Sequence, residues 1–242
     1  MKLLIIRHAD PDYSVDSLTE TGKIEAELLS RRLEKLNIKE FYCSPLGRAI
    51  DTSLPTLKKL GRKAKILPWL QELPVHVYKT NYSKPDIPWD WLPSDWSSRP
   101  EFYDREKWWT APEFSSVNLK NAVDEVWAGL DQLTANHGYV REGNIYRVAE
   151  PNDDTVVLFC HFGLECVLLS HLLGISPMPL WHGLCAAPSS VTTLVTEERR
   201  KGIACFRMSS FGDISHLYID GREPSFSARF CETYDKSDQC HD

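Results

Sequence analysis

The chain opens on Leu3-Leu4-Ile5-Ile6, an apolar run too short for a helix, which predicts a strand over Lys2–Ile6 buried on both faces of a sheet. Ala26, Leu29, Leu33 and Leu36 then recur at helical spacing, with Thr19 or Thr21 placed to cap the N-terminus. Phe41–Cys43 reads as a second strand, Leu46 to Leu60 as a helix stopped by Gly61, and Lys65–Leu67 as a third strand. Val156–Cys160 is a fully apolar strand, followed by a helix from Leu164 to Leu173 that Gly174 closes. Val191–Val195 and Ile203–Met208 are late strands on either side of the charged turn EERRKG. Strand and helix alternate at both ends. The fold class expected is α/β, a three-layer α/β/α sandwich around a mostly parallel sheet.

The middle breaks this rhythm. Trp89, Trp91, Trp96, Trp108 and Trp109 fall within 21 residues, among Pro85, Pro88, Pro93, Pro100 and Pro112. So many prolines exclude a central strand or a long helix, yet so many indoles are too apolar to stand in water. Pro74–Ser116 is therefore read as an ordered insertion packed on the sandwich, within one domain spanning residues 1–242. Its tryptophans form a miniature core on one reading and a binding box on the other. Leu119, Ala122, Val126, Leu130 and Leu133 mark a long amphipathic helix returning to the core, and His137–Asp154 reads as a polar surface connection.

Composition narrows the function classes. Apolar residues make up 42% of the 242 and charged residues 26%, ordinary for a globular chain, and no apolar run approaches the roughly 20 residues that cross a bilayer. A net charge of −6 and the lack of a Lys/Arg-rich face argue against nucleic acid as a partner. Seven cysteines without a CxxC spacing read as reduced thiols in a cytoplasmic protein, and the N-terminus is too short in apolar residues for a signal peptide.

The candidate chemistry sits at strand ends. Arg7 and His8 leave the C-terminal end of the first strand, and His161 leaves the end of Val156–Cys160. Ligands of open parallel sheets bind outside those ends, so two histidines there can meet across one crevice. Arg48, in Ser44-Pro45-Leu46-Gly47-Arg48, is placed to bring a second guanidinium to the same edge.

LLIIRHADPD, SLTETGKIEAELLSRRL, YCSPLGRAIDTS, the Glu of WLQEL and TVVLFCHFG, in that order, resemble the histidine phosphatase (phosphoglycerate mutase-like) superfamily, and FGDISHL resembles its C-terminal pattern. The resemblance skips residues 74–116. It implies that His8 is a nucleophile forming a phosphohistidine, that Arg7, Arg48 and His161 bind the phosphoryl oxygens, and that Glu72 is the proton donor. Ser14 falls where the family often has a further phosphate contact. The implied activity is metal-independent hydrolysis of a small-molecule phosphomonoester, with no cofactor and with an optimum below pH 7. The alternatives are phosphoglycerate-mutase-type phosphoryl transfer, or a silent protein-binding module on the same fold.

Departures from the pattern matter too. Pro74 and the insertion follow Glu72 where the family often has glycines and a Trp, which keeps Asp10 and Asp12 open as competing donors. Ala9 and Phe162 replace common glycines, and Phe162 narrows the site and bears on substrate choice. Other phosphatase chemistries fail on spacing. Cys43 and Arg48 have four residues between them where a cysteine phosphatase needs five, no late acidic pair accompanies Asp10-Pro11-Asp12, and there is no GxSxG. His76, His137, His171, His182 and His241 lack ligand-like spacing, His216 reads as structural, and Cys43 and Cys160 as small apolar groups. Oligomeric state is left open, a dimer through exposed tryptophan surface included.

Overall fold

The computed structural model describes residues 1–79, 83–225, 233 and 235; His241 lies outside them. In chain order the elements are β1 (Lys2–Arg7), β2 (Pro11–Asp12), β3 (Ser17–Leu18), α1 (Glu20–Leu33), β4 (Ile38–Cys43), α2 (Gly47–Leu60) and β5 (Lys65–Ile66). Short turns α3 (Pro93–Trp96) and α4 (Pro112–Ser115) interrupt the tryptophan-rich segment before α5 (Leu119–Asn136). The remainder is β6 (Tyr139–Glu142), β7 (Ile145–Val148), β8 (Thr155–Cys160), α6 (Phe162–Leu173), α7 (Pro177–Gly183), β9 (Val191–Arg200), β10 (Ile203–Asp213) and α8 (Ser215–Tyr218).

Eight strands form one sheet in the order β5-β4-β8-β1-β9-β10-β7-β6. The pairings β4/β5, β4/β8 and β1/β8 are parallel, as expected of the half that carries the candidate site. From β1 outward every pairing is antiparallel, so the sheet is mixed. β9 and β10 run longer than their apolar cores, and the turn between them shrinks to Lys201-Gly202.

The stretch 137–154 is no surface connection. It holds the β6–β7 hairpin at the sheet edge, turned by Gly143-Asn144 with Gly143 at φ +63°. Tyr139 and Tyr146 are buried while the rest of the two strands is half-buried or exposed, a pattern too short to outweigh the polar composition in sequence.

Alternation along β1 divides the core between two faces. Leu4 and Ile6 pack with Leu29, Leu33, Phe41 and Phe159 under α1 and α2. Leu3 and Ile5 pack with Leu130, Leu158, Leu168 and Leu169 under α5 and α6. Thr19 caps α1 by accepting from Gly22 N, as its position predicted. Leu36, exposed, falls past the helix end.

The tryptophan-rich segment joins the second of these cores. Trp91, Trp96 and Trp108 are buried, and Trp108 meets Phe114 at 5.5 Å and Trp181 of α7 at 5.7 Å between ring centroids, both edge to face. Arg99 bridges Glu101 and Glu113, tying two turns of the segment together. The segment is thus ordered by its rings, with little regular backbone.

Candidate active site

Register decides where the functional side chains fall. Arg7 pairs with Cys160 across β1/β8, so the next residues, His8 and His161, leave adjacent parallel strands side by side. β4 ends in register with Phe159, which delivers Ser44 to the same edge. The two imidazole rings lie 5.2 Å apart, tilted by 55°, and both are buried.

Each imidazole is held by one nitrogen. His8 Nδ1 donates to the carbonyl of Ala9 at 2.8 Å, which leaves Nε2 with its lone pair. His161 Nε2 is hydrogen-bonded to Ser44 Oγ at 2.8 Å, and its Nδ1 is buried without a partner among the described residues. Burial, and then the neighbouring Arg7, holds His8 well below the ordinary imidazole pKa; burial, and then His8, does the same to His161. Both rings are neutral near pH 7.

Two guanidinium groups flank them. Arg7 donates through Nη1 to the carbonyl of Ala186, and its plane lies 5.7 Å from the centre of the half-buried Phe162 ring. Arg48, in the first turn of α2, is paired with Asp16 at 2.5 Å and lies 5.3 Å from the ring of exposed Tyr13. Carboxylates farther than the roughly 8 Å screening length at physiological salt count for little here, so the field in the crevice is set by the groups close by, Arg7, Arg48 with its partner Asp16, and Glu72.

Glu72 sits at the start of α6, directly after His161. Its Oε2 accepts from Gly163 N at 3.0 Å and its Oε1 from Leu164 N at 2.8 Å, so the carboxylate occupies the N–H groups of the helix terminus. Burial nevertheless pushes its pKa above the ordinary carboxylate value, against the pull of those N–H groups and of Arg48. A Cβ at Gly163 would lie 2.6 Å from the Trp89 ring and 2.8 Å from Glu72 Oε1. Only glycine lets helix, carboxylate and indole meet there.

The other expected residues are placed elsewhere. Asp10 accepts from the hydroxyls of Thr19 and Ser225, and so organises the loop behind His8. Asp12 accepts the amide and hydroxyl of Ser14, which hold its pKa low, and Ser14 is exposed with its hydroxyl turned to Asp12. Burial pushes the Cys43 thiol up to about 12 and Cys160 well above the ordinary thiol range, leaving both inert. His137, His171 and His182 are engaged by Tyr42, Asp131 and the carbonyl of Met178.

Sequence reasoning read His216 as structural but missed its partner and the other supports. Thr52 Oγ1 accepts from Ala9 N and fixes the residue after His8. His216 Nε2 is hydrogen-bonded to Ser189 Oγ, and Ser189, at φ +61°, donates its amide to the carbonyl of His8. Ser44, one residue off a strand end beside Pro45, was the one support a motif could have revealed. Two buried carboxylates were also passed over. Glu25 accepts from Asp10 N, Glu165 lies in the first turns of α6, and burial raises both to about 7.

Comparison with known proteins decides the family. The model of the histidine phosphatase superfamily (branch 1) matches residues 3–208. The chain belongs to that superfamily. A probable phosphatase of Schizosaccharomyces pombe is 25% identical over 232 residues, 90% of this chain and 95% of the relative. Among solved structures, a phosphoserine phosphatase mutant of Entamoeba histolytica, crystallised with phosphoserine, superposes with a TM-score of 0.61 at 17% identity, covering 89% of this chain and 98% of that one. A mycobacterial glucosyl-3-phosphoglycerate phosphatase complexed with VO3 gives 0.56 at 19% identity, covering 87% and 98%. These structures share the superfamily's fold, and together with the superfamily match and the yeast relative they support a phosphatase. No helix among the described residues is long and apolar enough to cross a membrane.

Proposed function

We propose that this superfamily member is a metal-independent hydrolase of a small-molecule phosphomonoester, acting in the cytoplasm through a phosphohistidine at His8. The observation that carries the reading is the state of His8. It is a buried, neutral imidazole with Nδ1 committed to a carbonyl and Nε2 left to attack, beside His161 and between two guanidinium groups. The free thiols at 43, 160, 166 and 205 suit a reducing compartment.

In the first half-reaction His8 Nε2 forms a bond to phosphorus as the bond to the leaving oxygen breaks. Arg7, Arg48 and His161 take the charge that gathers on the three phosphoryl oxygens. A bound dianion offsets the two guanidinium charges and favours a proton on His161. Glu72, whose pKa burial raises above the ordinary carboxylate value, gives its proton to the leaving alkoxide. In the second half-reaction water attacks phosphorus, Glu72 takes its proton, the N–P bond breaks and inorganic phosphate leaves. Asp12 is the weaker candidate for donor, because Ser14 stabilises its ionised form. Pro74–Ser116 acts as a cap bounding the leaving-group side, through Trp89 beside Glu72.

The test is turnover of p-nitrophenyl phosphate with EDTA present, for native protein and His8→Ala. Native turnover should persist in chelator and fall by on the order of 10³-fold or more in the variant. An acid-labile phosphoryl label should map to His8. Equal rates in the two proteins, or loss with EDTA, would overturn the reading.

A further inference from the structure

Three aromatic rings stand around the proposed phosphoryl site, and none is needed to hold phosphate. Tyr13 is 67% exposed and stacks on Arg48, although nothing else of its ring is buried in the core. Phe162 stacks on Arg7 from the first residue of α6. Trp89 reaches the same helix start from the cap and touches the space beside Glu72, where the leaving oxygen must collect its proton. Large apolar side chains left accessible around a charged pocket are characteristic of ligand recognition.

The charges of the segment point the same way. Lys79 is buried on Asp86 and the carbonyl of Asp90, and Arg99 is held by Glu101 and Glu113. Arg105 is turned to Asn144, and Lys107 to Asp104. Exposed Lys84 is the remaining cation of the segment. A leaving group bearing a carboxylate would find rings here in place of a guanidinium fork.

We infer that the leaving group is uncharged and aromatic, with Tyr13, Phe162 and Trp89 as the specificity-determining residues that receive its ring. This rests on the phosphatase reading above and narrows it to one substrate class, aryl or arylalkyl phosphomonoesters. The carboxylate-bearing phosphoserine and 3-phosphoglycerate are disfavoured.

The discriminating pair is benzyl phosphate and 3-phosphoglycerate, because both release an alcohol and differ in ring against carboxylate. For the native full chain, kcat/KM should favour benzyl phosphate by about tenfold or more. Tyr13→Ala, at an exposed position the fold does not use, and separately Trp89→Ala should each collapse that ratio by about tenfold, through KM for the benzyl ester. Tyr13→Phe should restore it. Calorimetric binding of benzylphosphonate and 3-phosphoglycerate to His8→Ala gives the same comparison without turnover. Turnover with a preference for 3-phosphoglycerate, or a ratio indifferent to both substitutions, overturns the inference and leaves the hydrolase reading standing. Ring-dependent phosphonate binding without any turnover removes the hydrolase reading and overturns the inference with it, leaving the three rings as a binding site alone.

Discussion

The strand-end crevice and the tryptophan-rich segment solve the problem of order in opposite ways. In the crevice, backbone register does the placing. Three parallel strands end level, and Arg7, His8, Ser44 and His161 follow from that alone. In the segment almost no backbone ladder exists, with one isolated bridge between Val77 and Asp86, and edge-to-face rings do the placing. The difference is also one of cost. The crevice gathers two guanidinium groups and two imidazoles whose mutual fields oppose one another, while the segment gathers surface that water rejects. Function is concentrated where stability is spent, and stability where the chain looks least regular.

That contrast can be broken by experiment. Arg48→Ala should lower kcat/KM for p-nitrophenyl phosphate by about 10²–10³-fold while changing the thermal midpoint little, since both imidazoles are neutral and the Asp16 it unpairs is open to water. A large loss of stability would mean that the clamp also holds the fold. Trp108→Ala should do the reverse. It removes a fully buried indole and should cost about 3–5 kcal/mol in urea unfolding, with the activity of the remaining folded protein changed only a few-fold.

Behind the crevice, Glu165 supplies a sharper case, because its carboxyl titrates at about 7 in the folded chain against an ordinary 4.5. A raised acid contributes its full stability below the ordinary value and loses it as pH climbs through the folded one. Glu165→Gln should therefore stabilise the protein by about 3 kcal/mol at pH 8 and by almost nothing near pH 4.5. A pH-independent difference would locate the effect in packing instead. The β6–β7 hairpin belongs to neither region and sets the baseline. Gly143→Ala, at φ +63°, should cost only about 1 kcal/mol and leave the rate alone.

The legibility of the chain follows the same division. β1, β8 and the helices after them were readable because unbroken apolar runs ended on Arg7-His8 and on His161, and the candidate site was readable because charge appeared where apolar patterning stopped. Glu72 was readable only through family resemblance, since nothing local marks a glutamate as the one that reaches a helix terminus 91 residues further on. Ser189 was hidden for a related reason, and so was the link that ties His216, read as structural, to the site. They act on His8 through a positive-φ backbone and a contact spanning 27 residues, and neither leaves a periodic trace. Glu25 did leave one, as a charged residue on the buried stripe of α1 with Gly22, Ala26 and Leu29. The β6–β7 hairpin was masked by composition, its two buried tyrosines outnumbered by arginine, glutamate and asparagine.

Gly163 has a consequence for how this molecule can change. No side chain fits between the indole at 89 and the carboxylate at 72, so the backbone at that point is closed to variation. On the inference that the rings receive the leaving group, a shift in which alcohols the crevice accepts is written in the three flanking rings, contributed by the helix, the segment and the loop after β2. All three can be exchanged for other shapes without disturbing the glycine peptide beside the acid.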